Sequence, residues 1–319
     1  MFGAALTAFA AGGRRARLSI LIFHRVLQEH DPLLADVPDA AQFEQCMRWI
    51  RDWFNVLPLA EAATRLARGD LPPRALSITF DDGYADNEEI AAPILRRLGL
   101  HATFFIATGF LDGRNMWNDR VIEAIRACAA ERLDLTSLGL GAHDVQSIPQ
   151  RRQAIDRVLS AIKRLAPERR EAMVAAIEER CTGAPCARLM MRPQQVARLA
   201  SDGMDIGGHT VTHPILASLP SAQARREIEE GKAALEDIVG RRITLFAYPN
   251  GMPNVDYTAE HVQMVRDAGF QAAVSTAWGA ARCSADVFQL PRFTPWDRTR
   301  MRFAIRMLQN LNRTRYATA

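Results

Sequence analysis

The sequence lacks the features that would place it in several protein classes at once. Its five cysteines (Cys46, Cys128, Cys181, Cys186 and Cys283) are odd in number and scattered, so they form no disulfide framework. Cys181 and Cys186 lie close together, but no His or further Cys completes a zinc-type set around them. Unpaired thiols in a reducing compartment are the expectation. No apolar run reaches the ~20 uncharged residues needed to span a bilayer. There is no internal repeat and no low-complexity tract. Charge is nearly balanced, with 40 Lys and Arg against 36 Asp and Glu, which gives +4 and no case for nucleic acid as a partner. The mild excess sits partly at the Arg-rich ends. In the opening stretch (MFGAALTAFAAGGRRAR), Arg14, Arg15 and Arg17 follow the apolar run, whereas a secretory signal carries its charges before it. The expected location is the cytoplasm, with peripheral contact to the inner membrane left open because both ends are basic and partly amphipathic.

What is present is an ordinary globular composition, 48% hydrophobic and 24% charged, over 319 residues. That length suits one large α/β domain with insertions or two small domains. Residues 1–17 form a basic leading segment. Leu18 to Phe23 is a short continuous apolar run, suited to a buried parallel strand and ending in His24-Arg25. Ala40 to Phe54 and Leu59 to Arg68 have helical spacing. Pro72-Pro73 then punctuates the chain before a second buried strand, Ala75 to Phe80. A helix over Ile90 to Leu98, closed by Gly99, leads to strand Ala102 to Thr108. This alternation argues for a parallel sheet or barrel, whose chemistry collects at the carboxyl ends of the strands.

From about 115 to 199 the chain reads as helical and polar, an insertion expected to cap the barrel rather than fold separately. Alternation resumes with strand Met204–Ile206, helix Ala222–Val239, strand Ile243–Ala247, helix Glu260–Asp267, strand Ala272–Ser275 and a final strand near Phe288–Phe293. The main domain should therefore run over 18–300, with a basic helix and tail over 301–319.

Two motifs carry chemistry. In Thr79-Phe80-Asp81-Asp82-Gly83, a buried strand ends in adjacent carboxylates, a costly arrangement unless they are paired or bind a metal. Side chains alternate on a strand, so both serve one site only where the strand stops, and Gly83 permits that turn. An exposed turn is the plain alternative for such a motif standing alone. The second motif, His209-Thr210-Val211-Thr212-His213-Pro214, is entered through Gly207-Gly208. Its imidazoles at i and i+4 can share one side of a turn, the spacing of a metal pair, and Pro214 stops the turn there. With Asp82 they make a two-His-one-carboxylate set that leaves positions open for water and substrate.

Together these motifs resemble the NodB-homology polysaccharide deacetylases, metal-dependent carbohydrate esterases that act on chitin, peptidoglycan and poly-N-acetylglucosamine. The resemblance covers roughly Leu18 to Asp297. It implies a distorted (β/α) barrel with fewer than eight full repeats, Asp81 as catalytic base, and Asp82, His209 and His213 as ligands of one divalent metal. Zinc suits the N/O donor set. The implied substrate is an N-acetylated glycan. Phe23-His24-Arg25-Val26 is similar to the start of the poly-N-acetylglucosamine branch.

Three departures matter. The family's third motif, commonly Arg-x-Pro-Tyr before Gly, has its counterpart in Phe246-Ala247-Tyr248-Pro249-Asn250-Gly251. There Ala247 replaces the Arg that pairs with the base. Asn250 replaces the Tyr, whose backbone N–H serves the oxyanion and can still be supplied. Arg292, in Leu290-Pro291-Arg292-Phe293, either reaches Asp81 from a neighbouring strand end or is a surface residue. The late Leu-x-His motif is missing, so His24 stands as the substitute general acid, with loop support as its alternative role. Trp117 and Trp296 either line a sugar-stacking groove or pack a core. Competing readings are a hydrolase of a small amide or lipid-linked sugar, and a glycan-binding relative without catalysis. A haloacid-dehalogenase phosphatase needs Asp-x-Asp and is excluded by spacing.

Overall fold

The apolar run after the basic leading segment forms strand β1, Ser19–Phe23, with all five residues buried. The structure is a computed structural model, and residues 12–181, 187–294 and 297–319 are described below. After β1 come helix α1 (Ala40–Trp53), short strand β2 (Asn55–Val56), helix α2 (Leu59–Arg68) and strand β3 (Ala75–Phe80). Asp39 caps α1 by accepting from the Gln42 N–H at 2.9 Å. β3 is buried throughout, as a strand covered on both faces must be.

A π-turn at Asn87–Ala91 precedes helix α3 (Ala92–Arg97), so the regular helix begins later than the expected Ile90. Pro93 has no N–H to give to the preceding turn, which a wider turn accommodates. Strand β4 (Thr103–Ile106) follows.

Here the chain leaves the first compact unit. That unit holds the described residues up to Glu29, Pro38–Asp112 and those from Met191 onward. His30–Val37 and Gly113–Met190 form the second. It contains helix α4 (Trp117–Ala127), a hairpin of β5 (Arg132–Leu135) and β6 (Gly141–Asp144), and helices α5 (Ile148–Ile162) and α6 (Pro167–Arg180). Leu33, Val121, Ile125, Leu133, Val158 and Ile177 belong to a core of its own. The hairpin was not expected, because two four-residue strands of mixed polarity give almost no periodic signal. The second unit ends at Met190 rather than near Leu199, because the next helix, α7 (Pro193–Ser201), packs on the barrel. Cys186 lies outside the described residues.

The first unit continues with strand β7 (Asp205–Gly208), helix α8 (Ser221–Val239), strand β8 (Leu245–Ala247), helix α9 (Ala259–Asp267), strand β9 (Ala272–Val274) and helix α10 (Arg300–Asn312). Six parallel strands run in the order β1-β3-β4-β7-β8-β9, with β2 joining β3. The expected last strand is instead a bridging segment. Leu290 pairs with Val274 of β9, and Phe293 pairs with Leu21 of β1, so the same stretch links both edges of the curled sheet. Pro291 donates nothing to a ladder, and the Arg292 N–H goes to the Ala277 carbonyl at 3.0 Å; full strand pairing therefore fails while the circle closes. The outcome is the expected distorted (β/α) barrel.

Between sheet and helices, Phe23, Phe43, Phe80 and Phe104 interlock, with ring centroids 4.8 to 5.7 Å apart. Among the described residues no helix is long and apolar enough to cross a membrane. Phe43→Ala removes the α1 member of the aromatic cluster and should cost about 3–5 kcal/mol. Urea unfolding followed by circular dichroism reads this as a lower midpoint.

Candidate active site

At the end of β3 the chain turns inside out. The Asp81 N–H still pairs with the Phe23 carbonyl at 2.9 Å, but Asp82 adopts φ +77° and Gly83 +91°. Left-handed backbone is uncommon for a non-glycine residue and is best tolerated by Asn and Asp. It aims both carboxylates into the barrel mouth, where Asp81 is 3% and Asp82 7% exposed.

The two acids meet different partners. Arg292, 1% exposed, grips Asp81 with two parallel bonds, Nη1 to Oδ1 at 2.6 Å and Nη2 to Oδ2 at 2.7 Å. Its Nε donates to the Ser275 carbonyl at 3.0 Å and Nη1 also reaches Thr79 Oγ1 at 3.2 Å, so the fork is held by the residue after β9 and by β3 at once. Of the two places open to Arg292, the structure has the buried one. Burial raises the Asp81 pKa, but the guanidinium overcomes it and holds the carboxyl below its ordinary range.

Asp82 faces imidazoles. Its Oδ1 lies 3.4 Å from His209 Nε2 and 3.4 Å from His213 Nε2. The three side chains can each offer a donor atom, all within 4.8 Å of one another. Asp82 Oδ1 is buried and makes no hydrogen bond among the described residues, an unsatisfied acceptor that a cation would complete. His209 Nδ1 sits 2.8 Å from the Ala247 carbonyl, so in the neutral ring Nδ1 carries the proton and Nε2 faces Asp82 with its lone pair. Burial, with Asp82 pulling the other way, pushes His213 down to about 4, which keeps its lone pair available at neutral pH. Against its own burial, Asp82 is held low by these imidazoles. The residues fit a divalent cation.

The His loop is not the helical turn expected from its spacing. Thr210 (φ +67°) and His213 (φ +53°) are both left-handed, and these two reversals bring the rings to 4.7 Å. Pro214 keeps His213 out of the helical region, as expected. Residues that sequence reasoning missed hold the loop. Glu227 on α8 accepts from the N–H groups of Val211 (2.9 Å) and Thr212 (2.8 Å) and from the Thr212 hydroxyl (2.7 Å). Gly231, one turn on, lets α8 approach, since a Cβ there would stand 2.9 Å from the Thr210 carbonyl. In the sequence neither differs from an ordinary residue of an amphipathic helix.

His24 follows β1 and is exposed, close enough for its charge to bear on both Asp81 and Asp82. Its carbonyl accepts from Asn87 Nδ2 at 2.8 Å, and the neighbouring Arg25 pairs with buried Asp86 at 2.8 Å. With Arg292, Thr276, Trp278 and Thr294 it lines a cavity of about 410 Å³. Asn250, at φ +58°, gives its carbonyl to the Thr276 hydroxyl at 2.8 Å, while its N–H makes no hydrogen bond among the described residues. Of the two tryptophans singled out, Trp117 belongs to the second unit, where the Arg170 guanidinium covers its ring at 5.0 Å. Trp296 lies outside the described residues. Trp278, which the sequence did not flag, lines the cavity instead.

A parallel barrel whose strand ends gather an Asp-His-His cluster beside an ion-paired carboxylate defines a hydrolase of the deacetylase class. The chain belongs to the polysaccharide deacetylase family, whose model matches residues 68–273. YxkH of Bacillus subtilis (strain 168), itself provisionally named a polysaccharide deacetylase, is 23% identical over 279 residues, 87% of this chain and 71% of that protein. Among solved structures, the Streptococcus pyogenes deacetylase PplD in complex with acetate is 18% identical, covers 93% of this chain and 98% of its own, and superposes with a TM-score of 0.61. IcaB from Ammonifex degensii is 17% identical, with 95% and 98% coverage and a TM-score of 0.58. At these identities the structural likenesses bear on the fold.

Glu227→Ala should leave the fold intact yet weaken binding of a divalent cation by about 10–100-fold, the usual effect of losing a group that orients ligands. Titration calorimetry with zinc checks this, with wild-type affinity in the variant as the contrary result.

Proposed function

We propose that this protein removes N-acetyl groups from an amino-sugar glycan, using one divalent cation held by Asp82, His209 and His213. The observation that carries the reading is the unequal treatment of the adjacent acids. Asp82 presents an unsatisfied buried oxygen to two imidazoles, while Asp81 is locked by Arg292 and kept from joining them. Zinc matches the N/O donors. When bound, such a cation lowers the pKa of water and polarises an acetamide carbonyl.

The chain's own groups do the rest. Asp81, whose Oδ2 lies 3.9 Å from His209 Nε2, takes the proton of the attacking water. Arg292 keeps it ionised and fixes its oxygens. The backbone N–H of Asn250 serves the oxygen that becomes negative as the carbonyl turns tetrahedral, a contribution of roughly 3 kcal/mol for one donor. His24, which lines the cavity, gives a proton to the departing amine. Acetate leaves and the sugar retains a free amine. Arg292 thus takes the part of the Arg missing at Ala247, and His24 that of the missing late His.

Elemental analysis of the purified protein should find one equivalent of metal, and Asp82→Ala or His213→Ala should abolish it. Asp81→Asn should keep the metal and lose acetate release from N-acetylglucosamine oligomers; release at the wild-type rate rules Asp81 out as base. His24→Ala should lower turnover with metal content unchanged. Arg292→Met, which leaves a buried carboxylate unpaired, should destabilise the fold by about 3–5 kcal/mol.

A further inference from the structure

Six large apolar side chains are well exposed among the described residues, and five of them gather along the C-terminal segment. Met301 (75% exposed) and Ile305 (49%) stand one turn apart on α10, opposite the face that buries Phe303, Met307 and Leu311. Met252 and Val255 flank Asn254, whose side chain donates to the Thr318 carbonyl at 2.8 Å. Trp278 lies under the Arg313 guanidinium at 4.7 Å, and its carbonyl accepts from Arg313 Nε at 2.9 Å. The same segment is strongly basic. After Asp297 the chain carries six arginines and no acid, and Arg298, Arg300, Arg302, Arg313 and Arg315 are exposed.

Exposed apolar residues set among arginines, with an amphipathic aromatic beside them, match the chemistry of an anionic bilayer surface, where apolar side chains enter the headgroup boundary and cations meet lipid phosphate. A soluble anionic glycan would meet the arginines but gives Met301 and Ile305 nothing apolar to bury against. We propose that α10 and the tail after it form a docking surface for anionic phospholipid. Arg306 of this helix also lines the cavity that holds His24 and Arg292, so docking brings the cavity to the lipid surface. The contact does not depend on the deacetylase reading.

The test is co-sedimentation of the full chain with vesicles of phosphatidylglycerol and phosphatidylcholine, against vesicles of phosphatidylcholine alone. Binding should require the anionic lipid and fall with salt. Met301→Ser with Ile305→Ser, which changes no charge, should weaken it about tenfold, and Arg302→Gln about fivefold. An unchanged thermal midpoint shows that each variant is folded. The proposal is overturned if the wild-type chain ignores anionic vesicles, if it binds both vesicle types equally, or if the double serine variant binds like wild type. It is equally overturned if sedimentation velocity finds a dimer that this variant abolishes, which makes the patch a contact between two copies. Acetate release from soluble oligomers is read separately, so loss of vesicle binding and failure of the deacetylase reading are told apart.

Discussion

Two carboxylates buried side by side at the end of one strand repel each other and lose their hydration, and the architecture around the barrel mouth answers that problem. Each buried charge costs several kcal/mol unless it is paired, so both cannot be left alone. The structure resolves the conflict by giving them different partners. Asp81 receives a guanidinium with two parallel bonds, and Asp82 receives two imidazoles that leave one oxygen unsatisfied. The division of labour follows from this. The two Arg292 bonds engage both Asp81 oxygens, while Asp82, which faces imidazoles, keeps a buried oxygen with no hydrogen bond among the described residues.

The surrounding elements make that division possible. Arg292 can reach Asp81 only because the Leu290–Phe293 segment lies between β9 and β1, and that segment stops short of a regular strand. Irregularity is useful here. A fully paired strand would commit the Arg292 N–H to a ladder and alternate its side chain by sheet rule, whereas the N–H in fact bonds Ala277 and the side chain turns inward. The imidazoles are presented by a loop with two left-handed residues, a strained path that persists because α8 holds it through Glu227 and approaches closely at Gly231.

Much of this was legible in the sequence. The buried strands announced themselves as short apolar runs, and β3 was read to the residue. The paired motifs named the cluster because each places chemistry-bearing side chains where a strand stops, and that requirement is local. Arg292 was readable only as one of two alternatives, since its partner lies 211 residues away and no periodicity reports a contact of that range. Glu227 was invisible for a related reason. On an amphipathic helix a Glu that orients a distant loop looks like a Glu in water. The β5–β6 hairpin escaped because its strands are short and carry little alternation.

The replacement of the motif Arg by Ala247 looks at first like damage to the site, but the structure gives it another meaning. A guanidinium is defined by where its nitrogens arrive, not by which strand its backbone occupies, and a long flexible stem lets neighbouring strand ends supply the same fork. With Arg292 arriving from the closing segment, position 247 needs only a backbone carbonyl, and that carbonyl fixes the His209 proton on Nδ1. The charge partner of one acid and the tautomer of the imidazole facing the other are thus set by separate segments. Loss of the motif Arg at 247 is tolerable on this account because that side chain holds neither, and the same logic makes Arg292, which grips both Asp81 oxygens, the position where substitution is least tolerable.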